Sequence, residues 1–376
     1  MRRLLVALVL VILTGDAAWG SAGETDGVVY VASNGAGGNE ILVFDRNERG
    51  NLSFAGAVPT GGLGAGGGLG NQGGLLLSAD ARWLLAVNAG SHDVSVFRVN
   101  GRELTLTSRT PSGGQRPVSV TLDRDLVYVL NASGAVGGAD NIAGFRLDRR
   151  GRLLSIPGAV QALSGPHTAP AQIGFTPDGE FLVVTERATN LIAVFRLIGD
   201  EVDGRDGVAR PADFYPSAGL TPFGFAFDRR GRLYVTEAAG GATDASSVSS
   251  YQVRQGGLIE VISAAVPTTE TAACWLVITE DGRSAFTTNT GSATVSALRI
   301  DRDGTLVLHD LDGVAARTGA GSAPADAALS AGGQFLYTRN GGNGAISAFS
   351  VNGDGTLTSL STFGGLPGGA NGIAAR

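Results

Sequence analysis

Short apolar runs separated by turn residues recur along almost the whole chain. Residues 170–197 display the pattern most clearly: three apolar runs follow one another there, separated first by a Pro-Asp-Gly turn and then by a polar turn. Runs of about five to eight residues that are rich in Val, Ile and Phe and bounded by turn residues are typical of antiparallel strands. This segment therefore predicts a three-stranded meander.

The same pattern returns about every fifty residues. In each copy an Asn or a Glu closes the second strand, and a large residue of the third strand follows nine to fourteen positions later. The seven closing residues are Asn34, Asn88, Asn131, Glu186, Glu237, Asn289 and Asn340. Such a repeat is typical of propeller blades, which stack radially because one small sheet cannot bury its own faces. We therefore predict an all-β fold, a seven-bladed β-propeller of four-stranded antiparallel blades.

The two ends of the repeat region predict how the ring closes. Residues 28–32 read as the second strand of a blade with no inner strand before them, and residues 369–375 read as an inner strand left over after the seventh repeat. If the C-terminal strand completes the N-terminal blade, two exposed sheet edges disappear. The repeat runs without interruption, so residues 21–376 are predicted to form a single domain.

The first twenty residues have the features of a signal peptide. Arg2 and Arg3 precede an apolar run over residues 4–13, and a small-x-small cleavage site ends at Gly20. An apolar run of this length is too short to span a bilayer, which takes about 20 residues, although an uncleaved anchor is the alternative. The sequence predicts a secreted or periplasmic protein, and we expect a monomer.

Composition narrows the function classes. The formal net charge of −6 argues against a nucleic acid or an anionic membrane surface as partner. The single cysteine, Cys274, lies in an apolar run, which predicts a buried structural thiol. His92, His167 and His309 are not spaced as metal ligands, and no Gly-x-Ser-x-Gly motif occurs. We therefore expect no metal and no cofactor.

Residues 61–74, the glycine-rich loop, form a low-complexity segment. Glycine-rich loops can hold phosphate when they open a helix and carry a Gly-Lys-Ser/Thr sequence. Here no lysine follows and no helical periodicity appears. The sequence therefore favours a flexible connection between two blades.

Inner strands line the central channel of a propeller, so their polar and aromatic residues are candidates for a substrate site. The candidate substrate-binding residues at the predicted inner strands are Gln172, Phe223, Trp275, Asp326 and Asn371. For the polar members of this set, binding of structural water is the alternative role.

Two carboxylates and one histidine are the candidates for acid–base chemistry. Glu186 and Glu237 close the second strands of adjacent blades, where carboxylates can activate water. His167 lies just before an inner strand, near one mouth of the channel. The alternatives are solvated strand ends for the two glutamates and an exposed loop residue for the histidine.

Several pieces of the repeat, such as the segments over residues 170–179, 233–237 and 335–337, resemble the seven-bladed propeller lactonase family. This family includes 6-phosphogluconolactonases of the propeller type and the fungal carboxymuconate-cyclising enzyme, and the resemblance covers essentially the whole mature chain. Family members have His-x-His at the entry of one inner strand, where this chain has Ala169-Pro-Ala171. They have Gly-Pro-Arg-His at the next entry, where this chain has Thr221-Pro-Phe-Gly224.

The resemblance implies a lactone hydrolase that needs no metal, and among the family positions only the acidic residue Glu237 is retained. Phe cannot replace the bidentate guanidinium that holds a carboxylate or phosphate. An exported chain without that arginine is expected to act on a lactone that carries no phosphate, with Glu237 as general base, assisted by Glu186, Gln172 or His167. The alternative is a non-catalytic propeller whose rim loops bind a protein, a glycan or an envelope partner.

Overall fold

The computed structural model describes residues 27–199 and 206–376, and their strands fall into seven antiparallel sheets around a common axis. The first blade contains β1 (Gly27–Ala32), β2 (Glu40–Arg46) and β3 (Leu52–Pro59). The second contains β4 (Leu75–Leu77), β5 (Trp83–Asn88), β6 (Asp93–Asn100) and β7 (Glu103–Pro111). The third contains β8 (Pro117–Asp123), β9 (Leu126–Asn131), β10 (Asn141–Leu147) and β11 (Leu153–Ala162).

The remaining blades follow the same plan. The fourth contains β12 (Pro170–Phe175), β13 (Phe181–Glu186), β14 (Leu191–Arg196) and β15 (Asp213–Pro216). The fifth contains β16 (Pro222–Phe227), β17 (Arg232–Glu237), β18 (Ser247–Val253) and β19 (Ile259–Pro267). The sixth contains β20 (Ala273–Ile278), β21 (Ser284–Asn289), β22 (Thr294–Ile300), β23 (Leu306–Leu308) and β24 (Ala316–Arg317). The seventh contains β25 (Pro324–Leu329), β26 (Phe335–Asn340), β27 (Ala345–Val351) and β28 (Leu357–Gly364), and β29 (Ile373–Ala375) follows it. Short 3₁₀ turns span Ser133–Val136, Ala239–Gly241 and Ala331–Gly333.

The ring closes as the sequence predicts. Strand β29 pairs with β1 in antiparallel register, with Ala374 opposite Tyr30 and Ile373 opposite Val31. The first sheet therefore runs β29–β1–β2–β3, and the C-terminal strand supplies its inner edge. The predicted inner strand over residues 369–375 is shorter in the structure, since only residues 373–375 form it.

Apolar side chains between neighbouring blades form the core. Fully buried aromatic residues come from the second and third strands, and burying each one stabilises the fold by about 1.5–3 kcal/mol. Three tyrosine hydroxyls also donate to a turn carbonyl of the adjacent blade: Tyr30 to Gly101 at 3.0 Å, Tyr128 to Gly207 at 2.7 Å and Tyr337 to Gly50 at 3.0 Å. These three blade interfaces thus combine apolar burial with a satisfied polar group.

The predicted signal peptide, residues 1–20, lies outside the described residues. Within the part of the chain that the structure covers, no helix is long and apolar enough to cross a membrane.

Candidate functional site

Five inner strands slip in register directly after their first residue. The shifts follow the first residue of β8, β12, β16, β20 and β25. The first residues passed over are Val118, Ala171, Phe223, Cys274 and Ala325. A bulge bends a strand and re-aims a side chain, and such bulges are frequent beside active sites. We call the ring formed by these five residues, where the inner strands begin, the upper mouth of the channel.

The residue before each of these strands has a left-handed backbone. The φ angles are 51° at Arg116, 49° at Ala169, 61° at Thr221, 59° at Ala272 and 46° at Ala323. A non-glycine residue in this region costs of order 1–3 kcal/mol and persists only where its surroundings hold it. The entry to the upper mouth is thus strained in the same way in five blades.

The end of the glycine-rich loop crosses the channel. The backbone N–H of Gln72 donates to the carbonyl of Ala171 in the fourth blade at 3.0 Å. Its side-chain amide reaches the sixth blade, where Nε2 donates to the carbonyl of Leu276 at 2.8 Å and Oε1 accepts the N–H of Leu276 at 3.1 Å. Gln72 therefore supplies hydrogen-bond partners to β20 in the sixth blade and also bonds to β12 in the fourth blade.

Neighbouring residues of the loop are held in the same place. The indole Nε1 of Trp275 donates to the carbonyl of Asn71 at 2.8 Å, and the N–H of Val120 donates to the carbonyl of Gly73 at 2.9 Å. Residues 71–73 thus cross the channel at the level of the upper mouth. The glycine-rich loop is a connection between blades, as predicted, but its end is tied to three other blades, which the sequence interpretation missed.

Gly224 makes room for this crossing. A Cβ atom added at Gly224 would lie 2.1 Å from Oε1 of Gln72 and 2.5 Å from the carbonyl oxygen of Cys274. We expect Gly224→Ala to displace Gln72 and lower the free energy of unfolding by about 2–4 kcal/mol, because overpacking and lost hydrogen bonds add. Urea unfolding measures this, with Gly353→Ala as control, since no atom lies within 4 Å of a Cβ there. Equal stability of the two variants would contradict the packing described.

An aromatic pair forms part of the wall of the upper mouth. The rings of Phe223 and Trp275 lie 4.9 Å apart between centroids, with an angle of 58° between their planes. Both side chains are buried. Cys274, which precedes Trp275 in the chain, is buried as predicted. Burial raises the pKa of its thiol to about 12, so that it stays protonated at neutral pH.

Arg187 brings a positive charge to this wall. Its guanidinium carbon lies 5.3 Å from the centroid of the Phe223 ring, and its Nε donates to the carbonyl of Ala169 at 3.0 Å. Burial lowers the pKa of Arg187 from its ordinary value. No motif in the sequence marks Arg187 as a functional residue, although its place directly after Glu186 at the end of a second strand puts it at the rim.

Asp326 is the carboxylate that lies on an inner strand at the upper mouth. It is 4% exposed, and its Oδ1 accepts the N–H of Ala327 at 2.9 Å. Burial raises the pKa of Asp326 to about 7, although the charge of Arg339 acts in the opposite direction. Its carboxylate is therefore divided between the protonated and ionised forms near neutral pH.

Arg339 is the buried cation next to this carboxylate. Its guanidinium donates to the carbonyl of Ala325, and its Nε has no hydrogen-bond partner among the described residues. Burial lowers the pKa of Arg339, and the charge of Asp326 raises it. Each of the two side chains shifts the pKa of the other electrostatically, although they do not form a direct ion pair.

Glu186 is fully buried and bound to the loops around it. It accepts the backbone N–H of Ser164 at 3.0 Å and the hydroxyl of Thr189 at 2.7 Å, and the Ser164 hydroxyl donates to it as well. Ser164 belongs to the connection that leads into β12. The contacts of Glu186 therefore anchor that connection, and its catalytic role stays a prediction.

Glu237 has the corresponding environment in the next blade. It is fully buried and accepts hydrogen bonds from the Ser247 hydroxyl at 2.6 Å, the Gly219 N–H at 3.3 Å and the Ser217 hydroxyl at 3.4 Å. Burial raises the pKa of Glu237. Neither glutamate is a solvated strand end, and the general-base role of Glu237 also stays a prediction.

The other predicted residues lie at separate places. His167 is exposed on a loop before β12, with its Nδ1 3.0 Å from the carbonyl oxygen of Gly134. Gln172 joins two inner strands, since its Nε2 donates to the carbonyl of Phe225 at 3.0 Å and its Oε1 accepts the N–H of Phe225 at 2.7 Å. The backbone N–H of Asn371, just before β29, donates to the carbonyl of Ala32 at 2.8 Å.

The structure thus brings together Phe223 and Trp275 at the upper mouth, where Asp326 also lies. It does not bring Glu186, Glu237 and His167 into contact with one another, because each is bonded to a different loop. In residues 27–199 and 206–376, no group of three His, Cys, Asp or Glu side chains is arranged to hold a metal ion.

Known proteins share this architecture. The family model "Lactonase, 7-bladed beta-propeller" matches residues 140–270 and 236–368, which together exceed half of the chain. A putative 6-phosphogluconolactonase from Bacteroides fragilis superposes with a TM-score of 0.71 at 20% identity, covering 94% of this chain and 99% of that one. The periplasmic gluconolactonase PpgL of Pseudomonas aeruginosa gives 0.71 at 18% identity, covering 92% and 98%. No curated protein matches the chain. At these identities the structural neighbours establish the fold.

Proposed function

Because the chain belongs to the seven-bladed β-propeller lactonase family, we propose that it is an exported hydrolase that opens a lactone at the upper mouth of its channel by carboxylate-assisted attack of water. The observation that carries the proposal is Asp326, a buried carboxylate on an inner strand beside the buried cation Arg339. The buried aromatic pair of Phe223 and Trp275 makes the wall of the upper mouth rigid and apolar.

Hydrolysis of a lactone requires one proton acceptor and one site of positive potential. Water attacks the carbonyl carbon while Asp326 takes one of its protons, and the negative charge that develops on the carbonyl oxygen is stabilised by the field of Arg339. The ring C–O bond then breaks, and the leaving alkoxide takes up the proton that Asp326 had accepted, which returns the carboxylate to its ionised form. The product is the open-chain hydroxy acid, so the step consumes one water and needs no other reactant.

The hydrogen bonds of the three buried carboxylates favour Asp326 over the glutamates. Glu186 and Glu237 each accept hydrogen bonds from at least one serine hydroxyl and one backbone N–H of their own loops. Asp326 accepts only backbone N–H groups and has no side-chain donor among the residues described. A carboxylate that is free of competing donors is the better proton acceptor.

Two features support an exported enzyme and a substrate without a phosphate group. The N-terminal segment has the pattern of a signal peptide, and one structural neighbour is named a periplasmic gluconolactonase. A phosphate monoester carries about two negative charges at neutral pH. Of the two arginines at the upper mouth, Arg339 already acts on Asp326, so only one arginine is left to offset the charge of a phosphate.

Acid release in a pH-stat tests the function. The purified protein is incubated with D-glucono-1,4-lactone, D-glucaro-1,4-lactone and 6-phospho-D-gluconolactone, and the uncatalysed rate is subtracted. We expect turnover of at least one lactone without phosphate and slower turnover of the phosphorylated one. If the phosphorylated lactone is the best substrate, the proposed substrate class is wrong, and if no lactone is opened, the proposed reaction is wrong.

The pH dependence of the rate follows from the pKa of Asp326. A general base acts in its ionised form, and its pKa in the folded protein is about 7. We expect kcat/KM to rise about tenfold per pH unit below that value and to level off above it. A profile that is flat between pH 5 and 8 after subtraction of the background would exclude Asp326 as the base.

A non-catalytic propeller is the second candidate, and one observation favours it. Three large apolar side chains are exposed on loops that lead to or from the upper mouth: Leu63 at 42%, Val136 at 47% and Leu220 at 63%. Rim loops on a rigid scaffold commonly bind partners. This function predicts no turnover of any lactone, together with retention of an envelope protein or glycan on the immobilised propeller that is lost in Leu220→Ser.

A further inference from the structure

Arg187 has the position and the free hydrogen-bond donors of a ligand-binding residue. Its Nε is used by the carbonyl of Ala169, and its guanidinium lies over the Phe223 ring. These two contacts fix the plane of the guanidinium and leave its Nη1 and Nη2 groups without a hydrogen-bond partner among the described residues. We propose that these two groups bind a carboxylate carried by the substrate, so that the enzyme acts on lactones that keep a second, free carboxylate, such as those of sugar dicarboxylic acids; this inference rests on the proposed function.

The charge of Arg187 is not neutralised by the protein. No Asp or Glu forms an ion pair with it in the part of the chain that the structure describes. Burial lowers its pKa, which reflects the cost of holding this charge in an apolar wall. A guanidinium stays ionised even so, because its ordinary pKa lies far above neutral pH. A bound anion offsets this cost.

The glycine-rich loop packs closely against the guanidinium of Arg187. A Cβ atom at Gly70 would lie 2.9 Å from Nη1 and 3.1 Å from Nη2, so only a glycine fits there without displacing the guanidinium. Gly70 is part of the glycine-rich loop, whose next residues cross the channel. The loop and the Phe223 ring therefore hold the guanidinium of Arg187 in place between them.

The shape of the donor favours a carboxylate. Two parallel N–H groups of a guanidinium match the two oxygens of a carboxylate, and such bidentate pairs are stronger than neutral hydrogen bonds. A phosphate shares this chemistry but brings about two charges. The proposal predicts that the carboxylate ligand is preferred over the phosphorylated one.

A matched pair of lactones isolates the effect of the carboxylate. D-glucaro-1,4-lactone carries a carboxylate where D-glucono-1,4-lactone carries a hydroxymethyl group. Arg187→Gln removes the charge, Arg187→Lys keeps the charge and loses the planar fork, and Arg149→Gln is the control because Arg149 is exposed on the opposite face. Kinetics are measured for both lactones, and 6-phospho-D-gluconolactone is the phosphate arm. Binding of D-glucarate, the ring-opened dicarboxylate, is measured by calorimetry.

We expect Arg187→Gln to lower kcat/KM about 10- to 100-fold more for the glucarolactone than for the gluconolactone, with most of the difference in KM. Arg187→Lys should recover part of this loss, and Arg149→Gln should resemble the unmodified protein. Equal losses on both lactones, or a loss confined to the phosphorylated one, would overturn the assignment.

The calorimetric measurement separates the two proposals. If no lactone is turned over but D-glucarate binds and Arg187→Gln weakens that binding at least tenfold, the carboxylate site stands and the hydrolase function falls. If lactones are opened and D-glucarate binds equally to the unmodified protein and to Arg187→Gln, the hydrolase function stands and the carboxylate site falls.

Discussion

A chain that ends at Gly372 is expected to lose most of its stability and to associate at micromolar concentration. Removal of β29 takes away Ile373 and Ala374, which are 5% and 8% exposed, and leaves the inner edge of β1 unpaired. The lost burial costs about 2–3 kcal/mol, and each lost ladder hydrogen bond costs about 0.5–1.5 kcal/mol. The sum, about 5 kcal/mol, is comparable with the stability of a whole domain. Thermal unfolding and size-exclusion chromatography measure both effects, since an open strand edge pairs with other chains.

Two point variants give reference values for the loss of stability in the truncated chain. Ile373→Ala is expected to cost about 2–4 kcal/mol because its side chain is buried between the first and last blades. Leu360→Ala, at a position that is 37% exposed on the outermost strand of the seventh blade, should cost less than about 1 kcal/mol. A truncated chain that melts within a few degrees of the full chain would show that the ring does not depend on β29.

Asp326→Asn is expected to lower kcat for lactone opening about 10²- to 10⁴-fold while the protein stays folded. The substitution keeps the shape of the side chain and removes the proton acceptor, and loss of a general base has an effect of this size. KM should change little, because Asp326 acts on water rather than on the bound ring. Initial rates at pH 8 measure the change, and circular dichroism with thermal unfolding checks that the fold is intact.

Glu237→Gln is the matched comparison. Glu237 has its hydrogen bonds to Ser247, Gly219 and Ser217, so we expect this variant to change stability by about 1–3 kcal/mol and activity by less than tenfold. The opposite result, full activity in Asp326→Asn and none in a folded Glu237→Gln, would return the general-base role to the residue that the sequence and the family resemblance favour.

The ring could be predicted because its determinants are local and repeated. Turn residues and apolar runs recur seven times, and the unpartnered strands at the two ends reveal the closure that β1 and β29 make. Propeller blades contact mainly their neighbours, so a sequence period translates directly into architecture.

The site could not be predicted in the same way because it depends on contacts between distant blades. Gln72 and Leu276 are 204 positions apart, and nothing in the glycine-rich loop indicates that its end crosses the channel. Arg187 reaches the Phe223 ring from the second strand of the preceding blade. Such contacts follow from the radial arrangement, which is known only once the ring is built.

The seven strand-closing residues reveal the repeat in the sequence, but their structural role becomes clear only from their burial and hydrogen bonds. Asn88 donates from its amide to Asp93 and Ser95, and Asn289 donates to Thr294 and Ser296, all of them buried. Glu186 and Glu237 occupy the equivalent positions and are equally buried. A position that is buried and hydrogen-bonded in every blade has a structural role, whichever residue occupies it.

A crystal structure of the Asp326→Asn variant soaked with D-glucaro-1,4-lactone tests most directly whether the chemistry takes place at the upper mouth. The expected result is an intact lactone ring at the upper mouth, with its carboxylate on Arg187 and its carbonyl carbon within reach of a water bound to residue 326. A lactone seated on the opposite face of the propeller, or bound only at Glu237, would contradict the site proposed for this protein.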